Sequence, residues 1–546
     1  MMRYFHLLFC IFPLAASAQF HFVENAKERG IHFQQINGSP IKEYIVEAKG
    51  AGVSAIDVDG DGWDDIYLIN GASIDGKPLN PQPRNQFFRN QGDGTFEDWT
   101  DRTGLGDTGF GTGGFFADVD NDGDLDCYVT NYGPNQLYLN DGNCHFTKVP
   151  NAGGAQNEGW TTGAAFADIN GDGFPDLYIG NYAYFSPHLA EKFGKMGPFH
   201  GLPAFIGPSS YQPAKDNLFL NNGDGTFTDV SEERGIDAFE PGRSFTPFFT
   251  DLDNDGDLDL YMSDDTTYNH LYENLSDGFF EDISLIAGAA LSENGVAQGG
   301  MGVAIADVDG DLDLDIAVCN YDGEYNILYR NEGNLQFVDA AYPSGVGQGT
   351  VRKVSFGMLL QDFDNDGWPD MHVACGHVYP VADQVPKLDG YAQKSLYFHN
   401  TGEGIFTDVS ANVGPVANIK GVSRGSAAAD FDHDGDLDII VNNLDGEPFF
   451  LENQSPIANW LQLAVQNENG MPAYGARVIL TTAERTQLQE LYSSASFISQ
   501  NSAALHFGLG KTTIVEQIEI RWPDGTKQTM NQVKGNQRIV VQKSKN

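Results

Sequence analysis

A nine-residue acidic pattern, repeated seven times, sets the terms for the rest of the chain. Its first copy is Asp57-Val58-Asp59-Gly60-Asp61-Gly62-Trp63-Asp64-Asp65, read as D-x-D-x-D-G-x-x-D, and it runs directly into the strand-like Ile66-Tyr67-Leu68-Ile69. Further copies begin at Asp118, Asp168, Asp251, Asp307, Asp362 and Asp430. Carboxylates at positions 1, 3 and 5 converge when the backbone curls into a tight loop, and glycine at position 6 permits the turn. An EF-hand would need Glu at position 12 on an exiting helix. Position 12 is instead Leu68, Val129, Ile179, Met262, Val318, Val373 or Val441, all apolar and in strand-like runs. The fourth acid sits at position 9, which makes this a strand–loop–strand cation loop.

The candidate ligands are therefore Asp57, Asp59, Asp61 and Asp65 in the first loop, and Asp118, Asp120, Asp122 and Asp126 in the second. The third and fourth offer Asp168, Asn170, Asp172, Asp176 and Asp251, Asp253, Asp255, Asp259. The last three offer Asp307, Asp309, Asp311, Asp315, then Asp362, Asp364, Asp366, Asp370, then Asp430, Asp432, Asp434, Asp438. An all-oxygen donor set of this kind suits Ca²⁺, a hard cation that takes about 6–8 oxygens, better than Mg²⁺, which keeps its waters. Up to seven Ca²⁺ are expected per chain. Asn170 still offers an amide oxygen. Leu312 replaces the position-6 glycine of the fifth loop, so that loop is expected to be distorted or empty.

Around each loop the same unit recurs. In the fourth copy a strand, Phe245 to Thr250, leads into the loop, followed by strands at Leu260–Ser263, Asn269–Glu273 and Phe279–Ile283. Asn-Gly-Asp-Gly in the third copy marks the hairpin between the last two strands. Four antiparallel strands at this repeat length form a propeller blade. The seventh copy lacks its final strand, and the N-terminus supplies a match: Phe22–Ile31 aligns without gaps to Phe227–Ile236. The expected architecture is all-β, a seven-bladed propeller over residues 19–456 with Phe20–Asn25 completing the last blade. Residues 457–546 read as a small β-sandwich-like domain with alternating runs such as Trp460–Val465, Ala476–Thr482 and Glu516–Arg521, and without an acidic cluster.

The net charge of −45 would strain a compact fold through self-repulsion. The seven loops hold 27 of the 76 acidic residues, and seven divalent cations would bring the charge to about −31. The fold is thus expected to depend on its cations. The remaining negative charge argues against nucleic acid and anionic membrane surfaces. Arg3, the apolar run Tyr4 to Leu14 and Ala16-Ser17-Ala18 before Gln19 read as an export signal over residues 1–18. That run is too short to span a bilayer. The expected location is extracellular, at the cell surface or in the periplasm. Of the remaining cysteines, Cys127 and Cys144 could form a disulfide; Cys319 and Cys375 are weaker partners, and four buried thiols are the alternative.

The repeats resemble the FG-GAP/VCBS type, the calcium-loop blades also found in integrin α-subunit propellers. The tail resembles the ASPIC/UnbV domain through Tyr474-Gly-Ala-Arg-Val478, Leu505-His-Phe-Gly-Leu-Gly510 and Arg521-Trp-Pro-Asp-Gly525. The combination is similar to the cartilage acidic protein 1 family and its bacterial relatives. That resemblance implies an extracellular calcium-binding propeller and no particular reaction.

All seven loops follow the innermost strand of a blade, so they share one face. The opposite face receives long insertions at Asn70–Asn85, Asn181–Asp216 and Gly376–Lys394. Long loops on a rigid scaffold are common places for binding and catalysis. Lys49, Arg243, Lys353 and Arg424, with Trp160, fall near inner-strand starts and would ring that mouth of the channel. With His377 they suggest a cationic-aromatic pocket for a carboxylate, sulfate or sugar; the competing reading pairs each with a nearby carboxylate or carbonyl. His377 and His200 could also contribute to a Zn²⁺ or Cu²⁺ site. No nucleophile elbow, Walker loop or dinucleotide fingerprint is present. The leading expectation is a secreted recognition or adhesion protein with a glycan or protein ligand. The alternative is an extracellular enzyme acting on polysaccharide or through a histidine-bound metal at the channel mouth.

Overall fold

Alternation of apolar residues with short Gly-rich turns produces eight four-stranded antiparallel sheets among the described residues, seven of them blades of one ring and the eighth in the tail. The computed structural model describes residues 20–74, 79, 82–236, 240–276, 278–456 and 458–545. The export signal expected over residues 1–18 and the middle of the Asn70–Asn85 insertion lie outside these residues. Blade 4 shows the common plan, with strands Ser244–Thr250, Asp259–Asp264, His270–Asn274 and Phe280–Asp282. Its first two strands flank the acidic loop, so the loop turns at the end of the innermost hairpin. Inner strands of neighbouring blades pack side by side for six of the seven neighbour pairs, including blades 7 and 1; the exception is blades 4 and 5.

Blade 7 is assembled from both ends of the propeller. Ser423–Ala429, Asp438–Asn443 and Phe449–Asn453 supply three strands, and Phe22–Glu24 pairs antiparallel with the third, Phe22 opposite Asn453. Phe20 and Phe22 are buried against Phe363, Tyr397 and Ile439 at the seam with blade 6. The pairing leaves the ring without an open sheet edge at the seam.

The tail forms two sheets packed face to face. One holds Ala504–Gly510, Asn459–Gln466 and Arg538–Gln542; the other holds Thr486–Glu490, Arg477–Thr481, Ile514–Arg521 and Lys527–Lys534. Leu461, Leu463, Val478, Leu480, Phe507, Ile518 and Ile520 fill the space between them. The four cysteines Cys127, Cys144, Cys319 and Cys375 are free and buried. Of the two readings open for Cys127 and Cys144, free buried thiols hold, and both pack as small apolar groups in one cluster between blades 1 and 2.

Candidate functional site

Each acidic loop is shaped by two left-handed positions. Position 4 is Gly60, Asn121, Gly171, Asn254, Gly310, Asn365 or His433, all at positive φ. Glycine, or a side chain that tolerates this region, suits it. Position 6 is glycine in six loops, and Leu312 takes the same conformation at φ 72°. The expected distortion of the fifth loop is not found. Leu312 donates its amide to Asp307 as glycine does elsewhere, and its side chain packs on the core between blades 4 and 5, offsetting a conformational cost of roughly 1–2 kcal/mol.

The turn brings positions 1, 3 and 5 together. In Asp57/Asp59/Asp61, Asp118/Asp120/Asp122, Asp251/Asp253/Asp255 and Asp307/Asp309/Asp311, one oxygen of each carboxylate lies within 4.8 Å of the others. Several buried oxygens there have no hydrogen-bond donor, among them Asp120 Oδ1, Asp251 Oδ1, Asp309 Oδ1 and Asp364 Oδ2. Burial, reinforced by neighbouring acids, pushes Asp57 and Asp430 up to about 7. Burial likewise pushes Asp126 and Asp176 up to about 8. Unpaired buried carboxylates are costly, and a divalent cation removes that cost by accepting their lone pairs. The donors present are oxygens, which fits a hard cation.

Position 9 has an additional role that the spacing did not reveal. In blade 1, Asp65 Oδ2 accepts the amide of Val58 at 3.2 Å and Oδ1 accepts that of Asn90 at 2.8 Å. Asn90 Nδ2 then donates to Phe431 O of the blade 7 loop at 2.9 Å. Asn221, Asn331, Asn400 and Asn453 make the same reach to Val119, Leu252, Val308 and Phe363 of the preceding blade. In five of the seven blades an asparagine thus ties the acidic loop to that of the preceding blade, while Asn140 and Asn274 bond only to Leu125 and Leu258 of their own blades. The available signal was an Asn at the end of every third strand, as in Arg89-Asn90 and His399-Asn400.

These loops are also where known proteins agree with the chain. Residues 57–129, 118–179, 205–262, 251–318, 307–373 and 362–441 match the FG-GAP-like repeat, and residues 466–546 match ASPIC and UnbV. The chain belongs to the FG-GAP-like repeat family, with an ASPIC and UnbV domain at its C-terminal side. It is 26% identical over 332 residues to cartilage acidic protein 1 of Homo sapiens, covering 59% of this chain and 47% of that protein. Identity to the Mus musculus protein of the same name is 27% over 315 residues, covering 56% and 45%. The chain spans about half the length of the curated relatives it matches. Among solved structures it is similar to an Agrocybe aegerita protein described as specifically recognising non-reducing terminal N-acetylglucosamine, at 18% identity and TM-score 0.39, covering 72% of this chain and 86% of that one.

The ASPIC and UnbV domain sits on the acidic-loop face of the FG-GAP propeller. Its family motifs are what dock it. Tyr474 Oη donates to Phe116 O at 2.9 Å, and Arg477 Nη1 donates to Asp251 Oδ2 at 3.0 Å while its Nε approaches Glu490. His506 Nε2 lies 2.6 Å from Asn365 Oδ1. Gly508 passes so close to loop 6 that a Cβ would stand 1.9 Å from Asp362 Oδ2. Gln462 and Asn469 donate to Asp430 and Asp118.

From this domain the segment Ser493–Ser502 enters the central channel. Ser496 O accepts the amide of Val303, and Gln500 exchanges amide and carbonyl with Val53 and Ala55. Phe497 packs between Phe245 and Phe356, with ring centroids 5.0 and 4.9 Å away. Gly52 makes room for the segment: a Cβ there would stand 2.2 Å from Ile498 O.

The opposite mouth is closed as well. The blade 3 insertion forms a helix, Pro187–Phe193, and a hairpin, Met196–Phe199 with Leu202–Phe205, whose Phe199 and Phe205 rings lie 4.4 Å from Tyr379 of blade 6. Most of the residues expected to ring an open pocket are consequently inside the protein, Lys353 being the partly exposed exception. Lys49 is buried against Asp265 at 3.2 Å and faces the rings of Phe245, Phe356 and Tyr182. Arg424 is fully buried, donates to the carbonyls of Ala48, Gly376, Ser423 and His377, and stacks on Phe356 at 3.8 Å. Arg243 donates to Tyr211 O and Thr266, and Lys353 pairs with Asp389 at 2.6 Å.

His377 is buried among Phe199, Tyr321 and Tyr379, accepts the Tyr379 amide on Nδ1, and is pushed down to about 3 by burial. His200 is exposed on the hairpin turn. Trp160 borders a groove between blades 2 and 3, together with Tyr132, Tyr184 and Phe185.

Proposed function

We propose that the chain is a secreted calcium-binding propeller that recognises an extracellular ligand, with Ca²⁺ in up to seven loops and the ligand on the face opposite them. The observation that carries the ligand face is the groove between blades 2 and 3, about 640 Å³. Tyr132, Trp160, Tyr184 and Phe185 line it with Asn157, Glu158, Asn181 and Asn217. Tyr184 is 59% exposed, and the buried indole N–H of Trp160 has no acceptor. Aromatic faces stack on the C–H faces of sugar rings, and amides and carboxylates take their hydroxyls, so a glycan is favoured over a protein ligand.

The calcium part rests on the oxygen-only loops and their orphaned carboxylates. Export is supported by the N-terminal pattern around Arg3 and Ala16-Ser17-Ala18. Glycan-array binding by the full chain in Ca²⁺ tests the groove. Tyr184→Ala is expected to weaken the bound glycan about tenfold, roughly 1.4 kcal/mol. No glycan binding, or binding that the variant leaves unchanged, would discard the groove reading.

A further inference from the structure

In blades 1 and 6 the residue just before the Asn at the end of the third strand points back at its own acidic loop. Across blades 1 to 7 that position holds Arg89, Leu139, Leu220, Glu273, Arg330, His399 and Glu452. In blade 1, Arg89 Nε reaches Asp59 Oδ2 at 2.5 Å, and its Nη2 reaches Asp61. In blade 6 the position holds an imidazole, the one nitrogen donor among the seven.

His399 Nδ1 hydrogen-bonds to Asp370 Oδ1 at 3.0 Å, a proton it would give up on binding a metal, and lies 3.6 Å from Asp364 Oδ2. Asp364, Asp366 and His399 offer donor atoms all within 4.8 Å of one another. The side chain of Asp364 is 2% exposed, and its Oδ2 accepts no hydrogen bond. Phe20, at the ring-closing end of the chain, packs edge-on against the imidazole and helps to bury it.

We infer that the sixth loop is a mixed nitrogen–oxygen site that selects a borderline first-row divalent cation of the Zn²⁺ type, with His399 Nδ1, Asp364 and Asp366 as ligands and Asp370 beside them. This refines the calcium reading, on which it rests for the other loops. Ca²⁺ prefers oxygen, whereas imidazole suits Zn²⁺ and its neighbours. Bonds of about 2.0–2.1 Å in a tetrahedral shell place ligand atoms about 3.3 Å apart. The 3.6 Å between His399 Nδ1 and Asp364 Oδ2, the one printed separation between two proposed ligands, is close to that spacing. An orphaned carboxylate oxygen facing an imidazole across such a gap is completed by a metal ion that both can bind.

The test is metal analysis of the full chain after equilibration with excess Ca²⁺ plus Zn²⁺ and desalting, with the two metals counted separately. One Zn²⁺ per chain is expected, falling at least tenfold in His399→Gln and in Asp364→Asn while the calcium count does not fall. Zinc absent from the wild type, or retained by folded variants, overturns the inference. Because both variants change buried groups, Co²⁺ loading of the wild type gives a second readout. A nitrogen-ligated Co²⁺ signature in X-ray absorption is expected, and an all-oxygen shell overturns the inference. Zinc without calcium would refute the general calcium reading and leave this site standing. Calcium without zinc would do the reverse.

Discussion

The two mouths of the central channel are both closed, but by different chemistry. At the insertion end the charges balance within the protein: Lys49 meets Asp265, Lys42 meets Asp445 at 2.5 Å, and Arg424 is held by backbone carbonyls. At the acidic-loop end the acids exceed the cations. The C-terminal domain brings Arg477, Gln462 and Asn469 to three loops, yet buried oxygens such as Asp120 Oδ1 and Asp309 Oδ1 stay unpaired. One end is electrostatically self-sufficient; the other leaves buried carboxylates that the proposed cations would neutralise.

The sharpest way to break this contrast is to remove the ions. Chelation is expected to lower the melting temperature by on the order of 10 °C or more, because cations that bind only the folded loops stabilise by mass action. It is also expected to open Ser493–Ser502 to proteolysis before the insertion face. An unchanged melt in excess chelator would refute the dependence.

Deleting Phe20–Asn25 comes next. Phe20 and Phe22 are buried, and their loss together with the last strand of blade 7 is expected to cost roughly 5 kcal/mol. The whole propeller transition, followed by calorimetry, is expected to shift; a change confined to one blade would show that the seam does not hold the ring.

A matched pair of substitutions then compares the ends directly. Arg477→Ala strands Asp251 and Glu490, and Lys49→Ala strands Asp265, each at a cost of about 3–5 kcal/mol. In chelator the penalty of Arg477→Ala is expected to grow, since no ion then offsets the neighbouring acids, while that of Lys49→Ala is not. Equal responses in thermal melts would erase the distinction.

The last comparison is the pH slope. Asp57, Asp126, Asp176 and Asp430 are raised from 3.8 to about 7, 8, 8 and 7, chiefly by burial. With calcium removed, the folded form keeps protons that the unfolded chain releases. The stability they confer is complete below about pH 4 and is lost as pH rises through about 7–8. Metal-free protein is therefore expected to melt higher at pH 5 than at pH 8. With Ca²⁺ present the trend is expected to flatten or reverse, since the ion binds the deprotonated acids. A metal-free melt that rises with pH would contradict the sign.

Much of this protein was legible in sequence because its central device is local. Positions 1, 3, 5 and 6 of each loop lie within six residues, so spacing alone reveals convergent carboxylates and the turn that gathers them. Strand alternation and the Phe22–Ile31 match likewise carry the blade plan. Leu312 misled because a leucine at positive φ is judged by its backbone, whereas its side chain gains packing that only the neighbouring blade provides.

The remaining features arise from residues far apart in the chain. His399 reaches Asp364 from 35 residues downstream, and Asn90 meets Phe431 across the ring seam. Asn469 reaches Asp118 across a separation of 351 residues. A basic residue near an inner-strand start has the same spelling whether it faces solvent or a carbonyl. Tertiary packing alone decided that Lys49 and Arg424 are interior, that the C-terminal domain covers the acidic loops, and that one of those loops faces an imidazole. Local spacing fixes which atoms can converge on a cation; chain closure fixes which distant side chain arrives to join them.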